Sequence, residues 1–289
     1  MDNYLVFNGQ FVLADTPIIR AGNRGFQYAD GLFESIRVMH GSPVFLEQHL
    51  ERLYEGMRKL CLAIPENWDR LFFQELFNKL TTLNGIKSGR ARLTVYRAGG
   101  GTYQPQSHQV DYVLELHALE DLQYTLNTEG LAVDIYEQHP KRITELGWYK
   151  TLNAQYYVLA AIEAQRRKLD DVLLINEQGY VIESQHSNLF FVKDQALYTP
   201  PIEDGPVGGI MRMQIINLAL ELNIPVYECH IVADNLLMAD EVFLSNAIRG
   251  IQWVVSFRNK RYYHKLSEKL TTALNEWVLN STKGLPETE

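Results

Sequence analysis

The 289-residue chain predicts an α+β fold in two domains, on three observations. Segments with strand-like and helix-like hydrophobic periods are intermixed, without the regular β-α-β alternation of a doubly wound parallel sheet. A polar stretch without clear period, residues 119–130, divides the chain into residues 1–120 and 121–289. A hydrophobic fraction of 46% is enough for a sizeable core.

From the N-terminus, apolar runs at residues 4–7 and 11–13 flank Asn8-Gly9, the dipeptide of a tight hairpin turn. Residues 31–39 alternate as a strand, and His40-Gly41-Ser42-Pro43 closes it as a turn. Leu46, Leu50, Leu53, Met57 and Leu60 recur at helical spacing, so residues 45–62 form an amphipathic helix. Residues 68–80 predict a second helix, then residues 90–97 and 111–117 two strands joined by a glycine-rich loop. Beyond the polar stretch, strands at 132–136, 172–175 and 188–192 mix with helices at 153–167 and 210–222. The polar tail from Ser281 is expected to fray. Neither an internal repeat nor a low-complexity segment is present.

The formal net charge is −8, and no basic tract offsets it, which argues against nucleic acid or an anionic membrane as partner. Two cysteines, Cys61 and Cys229, lie far apart in no metal-like spacing, as suits a reducing compartment. The opening Met1-Asp2-Asn3-Tyr4 lacks a basic segment followed by an apolar run, so no secretory leader is expected. No apolar stretch approaches the roughly 20 residues that span a bilayer. The expected location is the cytoplasm. The eight histidines show no metal-ligand spacing. Neither a G-x-S-x-G elbow nor a phosphate loop of the G-x-x-x-x-G-K-[ST] type occurs, and Gly99-Gly100-Gly101 lacks the spacing of a dinucleotide fingerprint.

Four sites carry candidate chemistry. Lys150 is flanked by Trp148-Tyr149 and by the start of a helix. A lysine is ordinarily a solvated surface charge, but apolar surroundings lower its pKa and free a nucleophilic amine. Glu183, just past the turn at Gly179, is ordinarily an exposed strand-end carboxylate; it could instead face a pyridine nitrogen and keep it protonated. Arg52 lies in His49-Leu50-Glu51-Arg52-Leu53, where its fork of donors suits a phosphate as well as it suits water. Gly208-Gly209 precedes a helical run, so backbone N–H groups at that helix start could bind an anion.

In order, these segments resemble the class IV aminotransferases, the fold type IV pyridoxal-phosphate enzymes. Arg24-Gly25-Phe26-Gln27-Tyr28-Ala29-Asp30-Gly31-Leu32-Phe33-Glu34 is similar to the family's N-terminal signature. Lys150-Thr151-Leu152-Asn153 resembles its Schiff-base lysine segment, and the run from Gly179 through Ser187-Asn188-Leu189-Phe190 its pyridine-nitrogen segment. Gly209-Ile210-Met211-Arg212 resembles its phosphate turn, and Ala239-Asp240-Glu241-Val242-Phe243 leads into the last cofactor loop, Ser245-Asn246-Ala247. The resemblance implies a small N-terminal α/β domain, a larger C-terminal pseudo-barrel domain carrying the lysine, and pyridoxal 5'-phosphate between them. It also implies a homodimer. Lys150 would be the catalytic lysine; Arg52, Glu183, Gly209, Ile210, Met211, Asn246 and Ala247 would bind the cofactor with it. Many relatives carry Thr or Ser where Met211 and Ala247 stand, so the phosphate is expected to rest on backbone groups.

Three activities occur on this scaffold, each on a small amino-acid-like substrate: branched-chain transamination, D-amino-acid transamination, and release of pyruvate from 4-amino-4-deoxychorismate. Tyr28, Phe33 and Leu197-Tyr198-Thr199-Pro200-Pro201 resemble the branched-chain enzymes. Lys150-Thr151-Leu152-Asn153, the Gly99–Tyr103 loop, Gly209-Ile210-Met211-Arg212 and Asn246-Ala247 lean towards the lyase, which is the favoured reading. Lyase and D-amino-acid branches often carry a carboxylate-binding arginine in the loop that here holds Gly99 to Tyr103, and this loop has none. Arg92, Arg97 and Arg249 are the candidate substitutes, with Tyr28 and Phe33 also facing substrate. On a strand, Arg90 and Arg92 share one face and Arg97 takes the other. A catalytically silent binding protein would have no need of Lys150, Glu183 and Arg52 together.

Overall fold

The computed structural model describes residues 3–283, with side chains through residue 280. Its contacts divide the chain into two units: one comprises the chain through Leu122 together with Tyr149–Asn153, the other Gln123–Trp148 and the chain from Ala154 onward. Helices and strands are mixed in both, as an α+β protein requires.

The first unit contains β1 (Tyr4–Phe7), β2 (Gln10–Leu13), α1 (Arg24–Tyr28), β3 (Gly31–Met39), β4 (Ser42–Pro43), α2 (Leu46–Lys59), α3 (Arg70–Asn84), β5 (Gly89–Arg97) and β6 (Val110–Ala118). The strands form one antiparallel sheet in the order β2-β1-β6-β5-β3-β4. Asn8 and Gly9 both take positive φ, the left-handed pair that joins β1 to β2. Strand alternation sends Leu32, Ile36 and Val38 of β3 and Ala91, Leu93 and Val95 of β5 to one face. There they meet Leu50, Leu53 and Met57 of α2 and Phe73, Phe77 and Leu80 of α3. Each fully buried side chain of this size contributes about 1.5–3 kcal/mol. α3 starts where Asp69 caps Phe72 N–H and ends at Gly85, in the left-handed conformation at φ 63°, so it runs four residues beyond the expected stop at 80.

The second unit contains β7 (Leu131–Lys141), α4 (Gln155–Arg167), β8 (Asp171–Asn176), β9 (Val181–Ser184), β10 (Asn188–Lys193), β11 (Ala196–Thr199), α5 (Ile210–Glu221), β12 (Val226–Glu228), α6 (Ala233–Met238), β13 (Glu241–Asn246), β14 (Gly250–Phe257), β15 (Lys260–Arg261) and α7 (Lys265–Lys283). Its sheet runs β12-β11-β10-β13-β14-β7-β8-β9, and β9 pairs back onto β10 through Glu183 and Asn188. Six strands thereby close into a ring, the expected pseudo-barrel, filled by Leu173, Leu189, Val242, Leu244 and Val254 among others. Ala160 and Ala164 of α4 pack on Val172 and Leu174 of β8. The backbone of α7 is helical through Lys283; the rest of the polar tail lies outside the described residues.

Lys150 was expected within residues 121–289, yet its segment belongs to the first unit by pairing. Phe33 N–H donates to Lys150 C=O at 2.8 Å, Leu152 N–H donates to Gly31 C=O at 3.0 Å, and Thr151 bridges Leu32. This pairing also delays α4, which starts at Gln155 and not at 153.

Candidate active site

In the first unit, β3 and α2 assemble a buried polar cluster beside Lys150. Glu34 faces the helix side of the sheet, where Arg52 donates to it from Nε at 2.9 Å and from Nη2. One helical turn earlier, His49 donates from Nδ1 at 2.7 Å. Burial pushes Glu34 up, but the Arg52 charge and the hydrogen bonds from His49 and Arg52 outweigh it and hold the carboxyl at about 2. Burial lowers His49, and the Lys150 charge pushes in the same direction. The buried Nε2 of His49 has no hydrogen-bond partner among the described residues; with Nδ1 donating to Glu34 it is the acceptor of a neutral ring, an orphan that a ligand's N–H or O–H would satisfy.

The Lys150 ammonium lies 4.8 Å from the centre of the Phe33 ring, and the Arg92 guanidinium lies 3.8 Å from the same ring. Phe33 therefore brings two cations to one aromatic face pair. Gly56 of α2 lets Leu32 and the Tyr149 ring pack against the helix: a Cβ there would stand 3.0 Å from Leu32 and 3.2 Å from the Tyr149 ring. Burial and the nearby Arg90 lower Arg92.

Arg97 is on the other face of β5, as the strand parity required, and its donors are spent within the fold. It binds Asp30 through Nε, Leu60 C=O at 2.6 Å and Cys61 C=O at 3.1 Å, so its N–H groups serve the fold and not a substrate carboxylate. Asp30 also takes Arg24, which in turn holds Gly101 C=O and Thr102 C=O and so pins the glycine-rich loop. Tyr28 is exposed at the end of α1, with Tyr103 of that loop 5.8 Å away, ring to ring.

In the second unit, Glu183 is buried on β9. Lys141 donates to its Oε1 at 2.6 Å, Tyr157 donates to the same oxygen at 3.0 Å, and Val207 N–H donates to Oε2 at 2.9 Å. Neither Lys141 nor Tyr157 was singled out from sequence; Lys141 ends a strand in a polar run and Tyr157 sits among the apolar residues of α4. Asn188, paired with Glu183 across the sheet, donates to Val207 C=O at 2.8 Å. Its side-chain oxygen presses so close to Gly209 that a Cβ there would lie 1.8 Å from it. Gly209 starts α5 without any side-chain cap and without an acidic residue in the first turn. The N–H groups of Ile210, Met211 and Arg212 thus have no acceptor within the helix. Gly208 N–H donates to Trp148 C=O at 2.9 Å and fixes the turn from its other side.

The loop after β13 completes this group. Asn246 donates to Ser187 Oγ at 2.9 Å and accepts from the N–H groups of Ile248 and Arg249, so its amide shapes the loop. Tyr124 donates from its hydroxyl to Ala247 C=O at 3.0 Å. Arg249 is exposed, and its charge reaches Asp171, a buried carboxyl that accepts from Ser184 Oγ at 2.8 Å.

These residues fit pyridoxal phosphate. Of the roughly four acceptor positions on Glu183, three are filled and one on Oε2 remains, the number a pyridinium N–H needs. The uncapped start of α5, with a glycine where a Cβ cannot fit, suits a phosphate held by backbone alone. Among the described residues no group of three or more His, Cys, Asp or Glu could hold a metal, and no helix is long and apolar enough to cross a membrane.

Comparison with known proteins draws on the same stretch of chain. The sequence pattern of the family described as amino-transferase class IV matches residues 31–257. A D-alanine aminotransferase of Listeria monocytogenes is 31% identical over 251 residues, covering 84% of this chain and 83% of its own. An aminodeoxychorismate lyase of Bacillus subtilis is 27% identical over 248 residues, again covering 84% of this chain and 83% of its own. Among solved structures, a branched-chain aminotransferase of the thermophilic archaeon Thermoproteus uzoniensis, with norvaline, gives a TM-score of 0.88 at 23% identity. It covers 97% of this chain and 96% of its own, a likeness of fold.

Proposed function

The chain belongs to the class IV aminotransferases, enzymes that depend on pyridoxal phosphate, and from that premise we propose that it releases pyruvate from 4-amino-4-deoxychorismate, leaving 4-aminobenzoate. The observation that carries this reading is the placing of Arg92 and Lys150 on one ring, Phe33. A second cation beside the reacting lysine, in a unit whose glycine-rich loop has no arginine, suits a substrate with two carboxylates. Arg249, exposed on the last cofactor loop, is the other candidate for that charge.

Pyridoxal phosphate supplies, when bound, an electrophilic carbon for the amine and a ring that takes up an electron pair. Lys150 would hold the cofactor, and its freed Nζ would take the proton from the amine-bearing carbon. The electron pair left behind forms the last double bond of the aromatic ring as the neighbouring C–O bond breaks, and the departing enolpyruvate takes the proton from Lys150 Nζ at its methylene carbon to become pyruvate. Glu183 would face the pyridine nitrogen and favour its protonated form. In the second unit the N–H groups of Ile210 and Met211 would hold the phosphate, with Asn246 and Ala247 as further candidates; in the first, Arg52, seated by Glu34, is the candidate for the same charge. The functional unit is a homodimer.

Amino-acid transamination is the second reading, supported by the 31% identity to a D-alanine aminotransferase. It shares every step through proton removal and differs in returning the proton to the cofactor carbon. The deciding experiment offers the purified enzyme aminodeoxychorismate, leucine with 2-oxoglutarate, and D-alanine with 2-oxoglutarate in parallel. Aminobenzoate and pyruvate are expected; glutamate formation without aminobenzoate would replace the lyase by a transaminase. Borohydride reduction followed by peptide mass mapping is expected to place the cofactor on Lys150, and Lys150→Ala to abolish both labelling and turnover.

A further inference from the structure

Lys141 and Tyr157 form a closed network with Glu183. The Lys141 ammonium has three protons and three acceptors: Glu183 Oε1 at 2.6 Å, the Tyr157 hydroxyl at 2.8 Å and Gly147 C=O at 3.2 Å. All three are filled only if Lys141 is charged. Tyr157 accepts from Lys141 and passes its own proton towards Glu183 Oε1 at 3.0 Å. Burial first, and the Glu183 charge next, push the Tyr157 phenol well above its ordinary range, so it remains a neutral donor. Lys141 is buried, and so is the carboxylate it meets. An ammonium in such a place acts through a low dielectric and is screened little by water. Both donors fall on Oε1, while Oε2 takes the single backbone N–H of Val207. The carboxylate is therefore polarised: its charge is drawn to one oxygen and the other is left to face a further donor.

Resting on the reading that Glu183 faces the pyridine nitrogen, we propose that Lys141 and Tyr157 are positioning residues that hold back part of the Glu183 charge and so set how firmly that nitrogen keeps its proton. A glutamate with its charge undivided would hold the proton more tightly; an ammonium on its far oxygen moderates that hold. The effect on chemistry is transmitted through Glu183, and neither residue needs to touch substrate.

The test loads the holoenzyme with 15N-labelled pyridoxal phosphate and follows the nitrogen resonance through a pH titration. Lys141→Met is expected to raise the titration midpoint by about one pH unit, the effect of removing a cation a few ångströms from an ionised partner. Tyr157→Phe should raise it less, Lys141→Arg should restore the starting value, and Glu183→Gln should lower it. In Lys141→Met combined with Glu183→Gln, the midpoint should match Glu183→Gln alone. If Glu183→Gln lowers the midpoint while Lys141→Met and Tyr157→Phe leave it in place, the proposal is overturned and the Glu183 reading survives. A fall in Lys141→Met also overturns it, since the lysine would then only hold the glutamate in position. If Glu183→Gln has no effect, both readings fall. Should Lys141→Met not fold, Tyr157→Phe decides, because it removes one neutral hydrogen bond and leaves the ion pair intact.

Discussion

Glu34 in the first unit and Asp171 in the second are carboxylates of equal concealment, 2% and 1% exposed, with opposite acidities. Glu34 ionises at about 2, below its ordinary 4.5, while Asp171 ionises at about 6, above its ordinary 3.8. Burial pushes both upward. At Glu34 a guanidinium and an imidazole hydrogen-bond the two oxygens directly, and their attraction exceeds the loss of water. At Asp171 the hydrogen-bond donors are a hydroxyl and backbone N–H groups of Val172 and Gln185; the half-exposed His186 ring stands off at 3.5 Å, Arg249 acts by its field, and desolvation prevails. A cation in direct contact decides the sign, and hydrogen bonds from neutral groups do not suffice.

Breaking the stronger arm of this comparison should have the largest effect. Glu34→Gln leaves Arg52 and His49 without their counter-charge and should cost about 3–5 kcal/mol of unfolding free energy, read from urea denaturation. The wild-type contribution is present above pH 4.5 and disappears as the pH falls towards 2, because the folded state resists protonation that the unfolded chain accepts. Glu183→Gln should come next, with folding and cofactor retained and proton removal slowed by about 3 kcal/mol, roughly a hundredfold in kcat. Wild-type turnover in that variant would remove the pyridine-nitrogen assignment.

Asp171→Asn reverses the direction. The folded state holds a proton on Asp171 between pH 3.8 and about 6 that the unfolded chain has released, so stability falls as the pH rises through that window. Removing the charge should add up to about 3 kcal/mol at pH 8 and almost nothing at pH 3. Equal melting temperatures of variant and wild type at pH 8 would show that the site is better solvated than its burial indicates. The smallest effect is expected from Ser184→Ala, which deletes one hydrogen bond to the ionised form and should cost about 1 kcal/mol at pH 8.

The same contrast explains what could be read from the chain before its structure. The hairpin was legible because Asn8-Gly9 permits few other conformations, and α2 because its leucine stripe faces one sheet. The short strands β9 and β11 to β15, with helices α6 and α7, were not anticipated. Strands such as β13 are buried along nearly their whole length in the closed ring, so they show no alternation. Lys150, Glu183 and the Gly209 turn stood out through the order of their motifs. Their supports did not: Lys141 meets Glu183 across 42 positions and Tyr157 across 26, and no local pattern records such a pairing. Arg97 misled for the same reason, since its partner Asp30 lies 67 positions away.

The five-residue excursion Tyr149–Asn153 bears on how the polypeptide can be made and divided. The first unit is not complete at Leu122, because the bridge from Thr151 to Leu32 is supplied by a later stretch of chain. During synthesis, β3 must wait for residues 149–153 to leave the ribosome before its bridge can form. A fragment ending at Leu122 would lack both that bridge and the lysine. A chain cut at that point would carry Lys150 on the second fragment and the strand that pairs with it on the first.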